Sequence, residues 1–216
     1  MKVGTDGTLL GAWAEGGLRI LDVDTGTGLI ALMMAQRFPS SSVEAIDIDD
    51  DACIQAVGNV AASPFASRVE VSNISFQDFV LRNGGVKYDA IVCNPPYFEN
   101  SLGCPNGKRH IARHTSALEF SALLEGVRRI IAPDGRFSVV LPVDGFAGFD
   151  AEARLNGFRC SRRTSLRTVP RKLPRRVLLE YRADFAGECV VEERSILDAD
   201  GGNSDWYKSL ASDFYL

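Results

Sequence analysis

Histidine is nearly missing from this chain: of 216 residues only His110 and His114 carry an imidazole. They stand four apart with no cysteine or acidic pair at ligand spacing around them, so no metal centre is expected. The five cysteines, Cys53, Cys93, Cys104, Cys160 and Cys189, are scattered and odd in number, which argues for reduced thiols rather than a disulfide framework. No stretch of about 18 apolar residues is present and no leader pattern opens the chain, so a soluble, cytoplasmic protein is expected rather than a membrane one. Positive charge is not in excess either. The 24 Lys and Arg against 28 Asp and Glu leave a net charge of −4, which argues against a general nucleic-acid binder. The 45% hydrophobic content and this length suffice for one sizeable core, so residues 1–216 are expected to form a single domain, as a monomer.

Against these absences stands a strand, a glycine turn and a helix. Leu18 to Val23 reads as a short strand, Asp24-Thr25-Gly26-Thr27-Gly28 as a tight turn, and residues 29–37 carry apolar side chains at helical spacing. The pattern repeats with a strand over 43–48 and a helix over 51–62. Asp47 thus falls at the end of the second strand, where an acidic side chain can receive the ribose hydroxyls of a nucleoside. Such turns also serve dinucleotides, and an acid at a strand end is often only solvated.

Asn94-Pro95-Pro96-Tyr97 separates these readings. It follows the apolar strand 88–93, where an Asn-Pro-Pro turn otherwise only ends a strand. The prolines fix φ and remove donors, leaving carbonyl acceptors. Asn94 can accept from an exocyclic amine, and Tyr97 offers a face on which a base can stack. Together they read as an acceptor site for a planar NH2 group.

The order of Asp22, Gly26, Gly28, Asp47 and Asn94-Pro95-Pro96-Tyr97 resembles the Rossmann-like methyltransferases that use S-adenosylmethionine to modify the amino group of adenine. The segments 2–13, 94–98, 174–179 and 214–216 are similar to the bacterial family acting on N6 of adenine 37 in the anticodon loop of a valine tRNA. This resemblance covers almost the whole chain. It implies a class I α/β fold, a seven-stranded, mostly parallel sheet with a final antiparallel strand and helices on both faces. It also implies S-adenosylmethionine as cofactor, tRNA as partner, and an N-terminal stretch preceding the counterpart of Lys2.

Residue by residue, the resemblance implies that Asp22, Asp24, Gly26, Gly28, Asp47, Ser75 and Asn94 meet the cofactor, and that Asn94, Pro95 and Tyr97 hold the acceptor base. Two positions depart from the family pattern. Asp24 stands where a glycine usually opens the loop, bringing bulk and charge toward the cofactor carboxylate. Ser75 stands where an acid is expected opposite the cofactor adenine.

Basic charge is uneven. Arg159, Arg162, Arg163, Arg167, Arg171, Lys172, Arg175 and Arg176 occur with no acid between them, broken by Pro170 and Pro174. The run reads as a loop-borne phosphate contact, with Arg163, Arg171, Lys172 and Arg175 as RNA contacts, or as a solvated hairpin face. Lys108, Arg109 and Arg113 read as a basic flap near the target nucleotide, or as a plain solvated loop. Two other functions use the same residues: a protein glutamine N5-methyltransferase, which predicts a peptide groove, and a non-catalytic RNA-binding descendant, which Asp24 and Ser75 favour.

The remaining pattern predicts helices over 118–131 and 148–155 around a strand at 136–141, a Pro133-Asp134-Gly135 turn before it, and late strands over 175–181 and 188–194. Leu21, Val23, Ile46, Ile91, Val92, Val139 and Val140 read as sheet core. Trp13 either covers the cofactor or anchors a short N-terminal helix.

Overall fold

Alternating apolar strands and amphipathic helices close into one sheet in the computed structural model, which describes residues 4–95 and 120–214. The described elements are α1 (Thr5–Trp13), β1 (Arg19–Val23), α2 (Leu29–Arg37), β2 (Ser42–Asp47), α3 (Asp50–Ala61), β3 (Val69–Asn73), α4 (Phe76–Arg82) and β4 (Tyr88–Cys93). They continue with α5 (Phe120–Ile130), β5 (Ile131–Pro142), α6 (Phe146–Leu155), β6 (Phe158–Arg167), β7 (Arg176–Ala183), β8 (Val190–Ser195) and α7 (Asp205–Ala211). No helix among the described residues is long and apolar enough to cross a membrane.

The strand order is β3-β2-β1-β4-β5-β7-β6-β8. Strands β3, β2, β1, β4 and β5 pair in parallel, as βαβ crossovers require. β7 lies antiparallel between β5 and β6, and β8 pairs in parallel with β6 at the edge. The class I methyltransferase architecture is thus present with eight strands rather than the expected seven, and its antiparallel strand is internal rather than last. The strand that sequence reading missed is β6. Its basic residues suggested a loop, but arginine stems can lie along a sheet while their guanidinium groups reach polar partners. The Pro133-Asp134-Gly135 turn lies inside β5, where pairing with β4 shifts register between Tyr88 and Ala90.

Because side chains alternate across a strand, β1 serves two cores. Leu21 and Val23 join Ile91, Phe137, Val139, Leu179 and Tyr181 beneath α5 and α6. Ile20 joins Val43, Val92, Val140 and Leu178 beneath α1, α2 and α7. The seven residues read as sheet core are all fully or almost fully buried.

Trp13 is an anchor. Its Nε1 donates to Thr164 Oγ1 at 3.1 Å, and the Arg162 guanidinium lies 3.7 Å from its ring centroid. Arg162 also donates to the Trp13 carbonyl at 2.9 Å, and Arg176 reaches Asp6 Oδ2 at 2.8 Å. The first helix is therefore fastened to β6 and β7, at the far end of the chain.

Strand directions decide what shares an edge. β7 runs against both β5 and β6, so β6 runs with β5 and β4. The hairpin 168–175 consequently leaves the sheet on the edge that carries the glycine turn and Asn94.

Candidate active site

The turn after β1 is built on left-handed backbone. Asp24, Gly26 and Gly28 have φ of 57°, 59° and 79°. Glycine adopts this region without steric cost, whereas aspartate tolerates it at some expense. A Cβ on Gly28 would also stand 3.3 Å from Ala56 Cβ, so that position is closely packed as well.

Gly28 begins α2 and has no side chain with which to cap it. Asp22 performs that task from the strand: its Oδ2 accepts from Ala31 N at 3.0 Å and from Thr25 Oγ1 at 2.6 Å. Its Oδ1 is buried with no hydrogen-bond partner among the described residues. Burial pushes the Asp22 carboxyl up to about 7, against the Thr25 and Ala31 hydrogen bonds, with the charges of Asp24 and Asp47 adding to the rise. Asp22 is thus a loop organiser, and Thr25 its partner. Sequence reading gave Thr25 no role, although the Asp-x-x-Thr spacing carries that signal.

Asp47 closes the turn from the neighbouring strand. Its Oδ2 accepts from Gly26 N at 2.8 Å and its Oδ1 from Asp49 N at 2.9 Å, and it is only half buried. Each oxygen keeps a further lone pair. Asp24 points inward rather than to solvent: Cys93 Sγ lies 4.0 Å from its Oδ2. Burial, then the charge of Asp47, raises its carboxyl to about 6. Burial, and the same three acids, also push the Cys93 thiol well up.

Asn94 and Pro95 follow β4 directly, and Asn94 is half buried. Helix α1 forms the adjoining wall. A Cβ on Gly7 would lie 3.5 Å from Leu29 Cδ2 and 3.9 Å from Asn94 Nδ2, so Asn94, the start of α2 and α1 converge there. Sequence reading used Gly7 only as part of a motif.

Ser75 caps α4. Its Oγ accepts from Asp78 N at 3.1 Å and donates to Asp78 Oδ2 at 2.8 Å, so Asp78 is tied to the cap by both its backbone and its side chain. The hydroxyl proton is therefore committed within the helix terminus.

The basic run is shared between β6, the hairpin after it and the start of β7, which corrects its reading as one loop-borne contact. Arg159, Arg162, Arg163 and Arg167 belong to β6. Arg162 is paired with Glu180 and Glu15, and Arg167 with Glu193. Arg163 lies over the Phe146 ring at 5.1 Å, away from the hairpin tip. Arg171, Lys172 and Arg175 are exposed in the hairpin, on the edge of Asn94. Tyr97, Lys108, Arg109 and Arg113 lie outside the described residues. No group of three or more metal-ligating His, Cys, Asp or Glu occurs among the described residues.

A donor set of this kind fits S-adenosylmethionine. The left-handed turn brings bare backbone to the strand ends, Asp47 holds spare acceptors, and Asp22 carries an orphaned oxygen. With the parallel sheet and its internal antiparallel strand, these features define a class I, Rossmann-like methyltransferase. The Methyltransferase small domain family matches residues 8–141. The tRNA1(Val) (adenine(37)-N6)-methyltransferase of Phocaeicola vulgatus is 45% identical over the whole chain and 91% of its own length. That of Serratia proteamaculans is 40% identical over the whole chain and 84% of its own. The chain belongs to the tRNA1(Val) (adenine(37)-N6)-methyltransferase family. In fold it matches a predicted O-methyltransferase from Agrobacterium tumefaciens with a TM-score of 0.75, over 96% of each chain at 16% identity.

Proposed function

We propose that this protein transfers a methyl group from S-adenosylmethionine to N6 of adenine 37 in the anticodon loop of a valine tRNA, acting in the cytoplasm as a single-domain monomer. The observation that carries this reading is Asn94-Pro95 leaving β4 on the same sheet edge as the left-handed turn and Asp47, in a chain 45% identical to a methyltransferase of that name. Bound S-adenosylmethionine supplies an electrophilic methyl group on a sulfonium.

Asp47 receives the ribose hydroxyls on its spare lone pairs, and Gly26 and Gly28 let the backbone approach the cofactor. Asp22 holds the turn and faces the amino-acid end together with Asp24. Ser75, at the head of α4, borders the cofactor adenine. The target amine is a poor nucleophile because its lone pair is delocalised into the ring. The Asn94 side-chain carbonyl and the Pro95 main-chain carbonyl accept its hydrogens, which favours a pyramidal nitrogen as the new bond forms. Tyr97 stacks on the base. An unpaired loop nucleotide leaves its stack at less cost than a duplex base.

Arg171, Lys172 and Arg175 contact RNA phosphates on the active-site edge, joined by Lys108, Arg109 and Arg113. This exposed basic hairpin favours RNA over a glutamine-bearing peptide as acceptor. The test is radiolabel transfer from S-adenosylmethionine to unmodified bulk tRNA, with nucleoside mass spectrometry and Asn94→Ala as control. N6-methyladenosine confined to position 37 of one valine tRNA is the expected result. Transfer to another nucleoside, or to peptide instead of tRNA, overturns the assignment.

A further inference from the structure

Away from the active-site edge, α6, β6 and the segment before β8 enclose a cleft of about 520 Å³. Two thiols face each other in it: Cys189 Sγ lies 3.5 Å from Cys160 Sγ, and both residues are half buried. Arg159 and Arg163 line the same cleft, and neither has an ion-pair partner among the described residues. The Nε of Arg163 is buried without a hydrogen-bond partner. A bonded pair of sulfurs is about 2.05 Å apart, so the two have about 1.5 Å left to close.

We propose that this cleft is a thiol–disulfide exchange site, at which Cys189 and Cys160 are oxidised to an intramolecular disulfide by a small disulfide bearing carboxylates, of the glutathione type. The guanidinium groups of Arg159 and Arg163 receive the carboxylates. The Cys189 sulfur, having lost its proton, attacks one sulfur of the small disulfide and releases the other half as a thiol. The Cys160 sulfur, losing its proton in turn, attacks Cys189 Sγ and releases the second half. Two protein thiols and one small disulfide thereby become one protein disulfide and two small thiols. Burial, then the neighbouring Cys189, pushes the Cys160 thiol up, which suits it to act second. The bond would fasten β8, the edge strand that pairs only with β6, to the body of the sheet.

The full chain is incubated with glutathione disulfide, quenched in acid, alkylated and mapped by mass spectrometry. A Cys160–Cys189 link is expected, with a rise in Tm of roughly 5 °C or more. In Cys160→Ser, Cys189 should hold one glutathione, because nothing displaces it. In Cys189→Ser, Cys160 should stay unmodified over the same interval. Arg159→Ala, an exposed change that leaves both thiols in place, should slow reaction with glutathione disulfide about threefold or more, yet leave reaction with uncharged hydroxyethyl disulfide unchanged. A link involving any other cysteine, no link at all, or equal loading of Cys160 in Cys189→Ser overturns the proposal. Equal slowing of both reagents by Arg159→Ala overturns the carboxylate role.

Discussion

Replacing Asp24 with glycine tests the most unusual feature of the glycine turn. Asp24 carries two penalties that glycine lacks. Its left-handed backbone, at φ 57°, costs an L residue about 1 kcal/mol, the lower end of the usual range because aspartate tolerates the region. Its carboxyl is raised from 3.8 to about 6, chiefly by burial and then by Asp47. A raised folded-state pKa means that stability is fully present below 3.8 and is lost as pH climbs through about 6. At roughly 1.4 kcal/mol per unit, the loss reaches at most about 3 kcal/mol at pH 8 and about 1 kcal/mol at pH 4.5. Asp24→Gly should therefore raise stability at both values, with a gain up to about 2 kcal/mol larger at pH 8. Urea denaturation at the two pH values reads the difference, and Asp24→Asn removes the charge while keeping a side chain on the same backbone. A gain that is equal at both pH values, or an Asn variant no more stable than the parent at pH 8, refutes the electrostatic argument. Titration calorimetry with S-adenosylmethionine should show tighter binding by Asp24→Gly, and unchanged affinity would mean the acid does not oppose the cofactor carboxylate.

Asn94→Ala should lower kcat by about 10²-fold or more while cofactor affinity stays nearly constant, and equal losses in both would remove Asn94 from the acceptor site. Replacing both Arg171 and Lys172 with Ala should reduce the slope of log K for tRNA against log[salt] by about 1.4, with cofactor binding unchanged; an unaltered slope would take the hairpin off the RNA surface. Trp13→Ala should cost about 3–5 kcal/mol in urea denaturation, and a loss below 1 kcal/mol would show that α1 is not held by this side chain. Asp22→Asn should flatten the decline in stability between pH 5 and pH 8, since the Asp22 carboxyl, raised to about 7, otherwise loses its stabilising protonated form in that window.

The glycine turn and the elements around it were legible because local chemistry dictates them. A left-handed turn needs glycines, helix α2 occupies the residues whose spacing announced it, and Asp47 falls at the strand end that the βαβ unit requires. What could not be read depends on partners distant in sequence. Nothing near Arg162 announces a strand, because β6 is defined by pairing with β7 and β8, and the Arg162 guanidinium finds its partners at Glu180, 18 positions on, and Trp13, 149 positions back. The neighbour of the Asp24 carboxyl, Cys93, likewise lies on β4, 69 positions away. The two thiols of the cleft lie 29 positions apart and share no motif.

The fastening of α1 to β6 and β7 also has a consequence for the order in which the enzyme is made. Gly7 lies against Asn94, yet the hydrogen bond from Trp13 to Thr164 spans 151 positions and that between Arg176 and Asp6 spans 170. A ribosome that has released the glycine turn, Asp47 and Asn94 has not yet released the strands that fasten this wall. Contacts of such long range close late because the intervening chain must be ordered first. The wall beside Asn94 is therefore fastened only once Thr164 and Arg176 have emerged, more than a hundred residues after the glycine turn and Asp47 have their local contacts available.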